Sequence, residues 1–250
     1  MAGFFSPQRD RRTAFTLVEM LVVISLITLL IGIILPSLRS SRDSAYAGIC
    51  TSNLRQIMIA NHAYTNDNKG LYPFPNWGGN GRDLNDGNSP NQKWRYGGWL
   101  YFNKANASWN NNSFWTPQVL ETGLIYQYMG GEKSAYRCPK QDPPFPPLSG
   151  QITSYNMNGS VCAYGQPRTY RMDQFRPSDL IMWEVDPDNT STGAWWDGAN
   201  QPFEGIGTRW HALGGTAAAN DTHIEWMRHD DFAVERLKPQ PNRLYNTPGS

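Results

Sequence analysis

The side chains best suited to chemistry crowd near the C-terminal end: His211, Asp221, His223, Glu225 and His229. Imidazole and carboxylate groups of this kind hold zinc or relay protons. If Thr222–Met227 forms a strand, His223 and Glu225 share one face, and Asp221 or His211 would supply a third ligand once the hairpin folds. The alternative is structural: Asp221 makes an Asx turn and His211 hydrogen-bonds across it. The chain has no HExxH-type pattern, no phosphate-cradling glycine loop and no serine-nucleophile elbow. The turn is therefore the simpler reading, no catalytic residue is assigned, and His211, Asp221, His223 and Glu225 stand as the metal candidates.

Aspartates and cysteines raise two further questions. Asp83-Leu-Asn-Asp86-Gly and Asp186-Pro-Asp188-Asn189 offer hard oxygen ligands for a structural Ca²⁺, but neither has EF-hand spacing, and solvated turns account for both. Otherwise no cofactor is expected. Cys50, Cys138 and Cys162 are an odd count, which permits at most one intramolecular disulfide. Cys138–Cys162 is the preferred pair because both lie in the loop-rich part; three buried thiols are the alternative.

A fourth group stands where chemistry is least expected. Ala14–Leu35 (AFTLVEMLVVISLITLLIGIIL) is apolar apart from a few hydroxyls and Glu19, and reaches the roughly 20 residues a membrane-spanning helix needs. A carboxylate deep in a bilayer costs about 2.5–3.5 kcal/mol to insert. A cut between Ala14 and Phe15 would create an α-amino group one helical turn from Glu19, or within reach of Glu19 on a neighbouring chain. Pairing the two would neutralise charges that are each costly in an apolar bundle. A secretory signal peptide is cleaved after its apolar run, where this chain has only a weak site, and a plain signal anchor leaves Glu19 unexplained.

The ordered series Arg11-Arg12-Thr13-Ala14, then Phe15-Thr-Leu-Val-Glu19-Met, then an apolar helix resembles the class III signal of type IV pilins and type II secretion pseudopilins. The resemblance implies that a prepilin peptidase cuts on the cytoplasmic side before Phe15 and methylates the new terminus. Ala14 stands where the family usually has Gly. Looser likeness to a divergent pilin-like subgroup runs through Cys50-Thr-Ser-Asn-Leu-Arg-Gln-Ile, Tyr64-Thr-Asn-Asp-Asn-Lys-Gly, Arg137-Cys-Pro, Ser154-Tyr-Asn-Met-Asn and Arg176-Pro-Ser-Asp-Leu. That subgroup ends in His, nine residues, then Asp-Gly. Here His211 and Asp221 keep the spacing, Thr222 replaces Gly, and Ala217-Ala218-Ala219 replaces a bulkier strand.

The elements that must position these residues follow from pattern. Pro36 should kink or locally unwind the apolar helix. Beyond it, Tyr46, Cys50, Leu54, Ile57, Ala60 and Tyr64 recur at helical steps, and Asn66–Gly70 reads as a stop. From Phe15 to Asn66 such a rod measures roughly 78 Å. Leu71–Gly150 is an irregular insertion, in which Thr116-Pro117 suits a helix start. Short strands are expected at Leu180–Val185, Gly193–Trp196, Ile206–His211, Thr216–Asn220 and Thr222–Met227. Hairpin turns are expected at Leu213-Gly214-Gly215 and Asn220-Asp221-Thr222, and the tail after Phe232 should fray. Ten Trp and twelve Tyr are more than a small core normally takes. Trp77, Trp94, Trp99, Trp109, Trp115, Trp195 and Trp196 would pack the insertion or stack on sugars.

The expected fold is α+β: a long N-terminal helix on a small antiparallel sheet with a loop-rich insertion. Its parts are a leader over 1–14, a membrane and assembly helix over 15–38, an amphipathic helix over 39–66 and a head over 67–250. Net charge is +1, and about −1 without Arg9, Arg11, Arg12 and Asp10, which argues against a nucleic-acid binder. The leader's arginines keep the N-terminus cytoplasmic. The expected protein is a non-enzymatic subunit of a pilus-like filament or secretion pseudopilus, assembled through Phe15, Glu19 and Pro36. It would start in the inner membrane among lipids, meet prepilin peptidase and the inner-membrane assembly machinery, and end periplasmic or extracellular. A carbohydrate-binding tip adhesin and a membrane-tethered metallohydrolase are the alternatives.

Overall fold

A computed structural model describes residues 16–76, 97–101, 117–141, 152–166, 168–185, 198–207, 211 and 214–249. Its contacts divide the chain into two compact units, Met1–Ser44 and Ala45–Ser250. Helix α1, Leu17–Asp67, runs unbroken through Pro36, so the expected local unwinding does not occur. Thr16 and Glu19 form a capping box. The Thr16 backbone N–H and hydroxyl both donate to Glu19 Oε2 at 2.8 Å, and Glu19 N–H donates back to Thr16 Oγ1 at 3.2 Å.

In the first unit the hydroxyls of the apolar run satisfy themselves: Ser25 donates to Leu21 O and Thr28 to Ser25 O. The apolar run from Leu17 to Leu38 is exposed along its whole length. The core helix of a soluble domain is mostly buried; among the described residues none of this stretch is.

In the second unit α1 becomes a wall of the head. Cys50, Leu54, Ile57 and Ala60 of the expected stripe are fully buried, and Asn53, Met58, Asn61 and Thr65 widen it. The helix ends as its sequence dictates, with Lys69 and Gly70 at φ 59° and 80° and Gly70 N–H on Thr65 O.

A five-stranded sheet lies in the order β3-β1-β2-β4-β5, with β1 Tyr155–Asn158, β2 Leu180–Glu184, β3 Ala199–Asn200, β4 Gly214–Ala219 and β5 Ile224–Arg228. All pairs are antiparallel except β1 with β3, so the sheet is mixed at one edge. Two apolar layers sandwich it. Leu54, Ile57, Met58, Met157, Ile181 and Ala218 belong to the first; Leu180, Trp183, Ala217, Ala219, Phe232 and Leu244 form the second.

Three expectations are corrected, and for Trp99 the packing alternative holds. Gly214 and Gly215 lie inside β4 rather than in a turn, because a Cβ at Gly214 would sit 2.3 Å from Met227 O of the paired strand. Ile206 and Gly207 are not in a strand, and 208–210 lie outside the described residues. The tail does not fray. Helix α2, His229–Leu237, buries Phe232 against Trp183. The tail then returns along the sheet, where Leu180 N–H donates to Arg243 O and Asn158 Nδ2 to Leu244 O. Trp99 is no sugar platform: it is fully buried, stacks on Tyr136 and donates to Gly198 O. The strand expected at Gly193–Trp196, the aspartate loops and the other tryptophans of that group lie outside the described residues. Pro117 does open a short 3₁₀ helix, Pro117–Thr122.

Candidate functional site

The chemistry-bearing residues converge inside the head. Cys50 is the first residue of α1 to be fully buried. Asn53, nearly one turn on, donates from Nδ2 to Arg137 O at 3.0 Å and so fixes the segment carrying Cys138 against the helix. Cys138 N–H donates to Ser154 Oγ, and Ser154 O accepts from Val185 N–H, which ties that segment to the end of β2. There stands Glu184, a lone carboxylate in an otherwise apolar strand (LIMWE). His211 arrives from the segment leading into β4, with its ring edge-on to Trp226 at 5.6 Å.

The distances are short. Cys50 Sγ lies 2.9 Å from Cys138 Sγ, and His211 Nε2 lies 3.2 Å and 3.3 Å from the two sulfurs. Glu184 Oε1 is 3.4 Å from the same nitrogen. The four donor atoms all fall within 4.8 Å of one another. Exposure is 0 % for Cys50, 1 % for Cys138 and Glu184 and 4 % for His211. Glu184 uses only Oε2 in hydrogen bonding, accepting from Thr216 N–H at 2.7 Å and its hydroxyl at 2.9 Å; Oε1 accepts no hydrogen bond.

The groups of this cluster shift one another's acidity. The hydrogen bond from Cys50 holds the Cys138 thiol down to about 6, and the same bond pushes Cys50 far above its ordinary range. Burial opposes charge on His211, but the hydrogen bond to Cys138 and the negative charge of the Glu184 carboxylate beside it outweigh burial and raise the imidazole to about 9. Two thiols, an imidazole and a carboxylate facing one point are a donor set able to hold a metal ion.

The residues singled out in the sequence are thereby re-sorted. The expected Cys138–Cys162 disulfide is absent. Cys138 faces Cys50, whereas Cys162 ends a 3₁₀ turn after β1 with its Sγ on Gly159 O, and all three cysteines are free. His211 does not reach across the hairpin. Asp221 makes the Asx turn, accepting from His223 N–H at 2.9 Å, and Thr222 takes φ 69° there. Glu225 pairs with Arg243, and His223 is exposed. Ala14 and Phe15 lie outside the described residues, Glu19 sits in the helix cap, and Pro36 lies within α1. The reading from sequence missed Cys50 and Glu184 as site residues. Glu184 did leave a signal, since a charge inside an all-apolar strand has to find a partner.

A family model described as the prokaryotic N-terminal methylation motif matches residues 9–35. No curated protein and no solved structure matches the chain. The match joins the leader's arginines to the apolar start of α1, so the chain carries a prepilin-type signal on an α+β, pilin-like layout with a helix long and apolar enough to cross a membrane.

Proposed function

We propose that this chain is a structural subunit of a type IV pilus-like filament or a type II secretion pseudopilus. One observation carries the reading: the methylation motif over residues 9–35 runs into an apolar helix that is exposed among the described residues. Prepilin peptidase cuts between Ala14 and Phe15 and methylates Phe15. The apolar part of α1 then leaves the lipid and packs among its copies. Little apolar surface changes its exposure in that exchange, so packing and the pairing of buried charge carry the selectivity. Glu19 meets the Phe15 amine of an adjacent subunit, which removes two unpaired charges from an apolar surrounding. The head faces outward as a non-enzymatic surface.

The capping box supplies a clean test. Glu19→Gln keeps a side chain that can cap the helix but removes the charge. Both Glu19→Gln and Glu19→Ala should insert and be cleaved yet yield at least tenfold fewer filaments in sheared fractions. Filaments at normal yield with Glu19→Gln would sink the charge-pairing account. Ala14→Arg should leave uncut precursor in the membrane, as read by the chain's mass.

A further inference from the structure

We propose that Cys50, Cys138, Glu184 and His211 form a structural zinc site that fastens the C-terminal half of α1 to the sheet of the head. The inference does not rest on the filament reading. Three observations carry it. The first is geometry. Zinc–sulfur bonds near 2.3 Å and zinc–nitrogen or –oxygen bonds near 2.0–2.2 Å place neighbouring ligands of a tetrahedron about 3.3–3.8 Å apart. The two sulfur–nitrogen separations and the nitrogen–oxygen separation, 3.2, 3.3 and 3.4 Å, lie at or just below that edge. The sulfurs, at 2.9 Å, are closer, and an ion between them would spread them by less than about 1 Å.

The second observation is the unused oxygen. Glu184 is buried, its Oε2 is held by Thr216, and its Oε1 accepts no hydrogen bond while aimed at the imidazole and thiols. Among the described residues no Lys or Arg pairs with it, and its one ion-pair partner is the His211 imidazole at 3.4 Å, itself a candidate ligand. A buried carboxylate in that position is costly unless a cation completes it. A divalent ion bound by two thiolates and this carboxylate supplies that charge.

The third is donor chemistry. Two thiolates with one imidazole select a thiophilic ion over Ca²⁺ or Mg²⁺. Four protein donors leave no open position for a reactive water, the pattern of a structural centre rather than a catalytic one. A cavity of about 360 Å³, lined by Ile49, Asn53, Arg137, Cys138 and Pro139, lies beside this cluster at Cys138.

The test uses the full chain in detergent, purified with TCEP and without chelators, with metal content measured by plasma mass spectrometry. One zinc per chain is expected. Cys138→Ser and His211→Ala should each lose it, and Cys162→Ser should retain it. Replacement by Co²⁺ in the unaltered chain should give the intense visible bands of a tetrahedral ion with thiolate-to-cobalt charge transfer, a readout that needs no variant to fold. Four results would each overturn the proposal: a chain that stays zinc-free after one equivalent is added, an octahedral cobalt spectrum, zinc retained by a folded Cys138→Ser, or a Cys50–Cys138 disulfide in the protein taken from cells.

Discussion

Thr222 is the one β-branched residue among the described positions that takes positive φ, at 69° in the β4–β5 turn. A Cβ there costs on the order of 1–2 kcal/mol, and the turn survives because Asp221 Oδ1 caps His223 N–H and Thr222 N–H bonds Ala219 O. Thr222→Gly should therefore stabilise the head by about 1 kcal/mol in urea unfolding, even though glycine adds freedom to the unfolded chain. An unchanged or lowered midpoint would mean that the turn is not under strain. Thr216 acts at the same scale through Glu184. Thr216→Val removes the hydroxyl bond to Oε2 but leaves the backbone one, so zinc affinity should fall about tenfold with little change in the metal-free fold.

At the scale of elements, α1 is one helix with two kinds of surface. Ile57 is fully buried in the layer between helix and sheet, while Ile59 is 55 % exposed. Ile57→Ala should cost about 2–5 kcal/mol and Ile59→Ala within about 0.5 kcal/mol, measured by denaturant unfolding of the full chain followed by tryptophan fluorescence. Equal costs would refute the packing described.

The same element shows how much could be read from the sequence. Its extent, its stop at Lys69–Gly70 and the stripe from Cys50 to Ala60 follow from spacing, because a helix carries its own period. β2 and the 220–222 turn were legible for similarly local reasons. β1, with Asn156 and Asn158 buried and bonded to Ala199 O and to Leu180 O and Leu244 O, was not. Its asparagines imitate a loop until the strands that satisfy them are in place. Gly214-Gly215 misled for a related reason: the pair serves close strand packing, and close packing leaves the same mark in a sequence as a turn.

The candidate site was the least legible part. Its four residues come from four separate segments, and no local spacing joins Cys50 to Cys138 or either to Glu184. Only the fold brings them within 4.8 Å of one another. His211 was noticed, but beside the wrong companions, since Asp221 and Glu225 were nearer in sequence while a turn and Arg243 claim them in space.

For the whole molecule, a bound metal would reinforce the cohesion of the head by linking α1 to the sheet. An ion bound to the native state alone stabilises by mass action, so removing it with a strong chelator should lower the unfolding midpoint by on the order of 10 °C. Adding zinc back should restore it. A midpoint insensitive to both would mean that the head holds without metal.

As a pilus-like subunit, this chain would be cut, methylated and polymerised. The most direct measurement is electron microscopy of sheared cell-surface material together with mass spectrometry of the chain's N-terminus. Filaments containing a chain that begins at N-methylated Phe15 are the predicted result. A chain that still begins at Met1 and stays in the membrane fraction would contradict it.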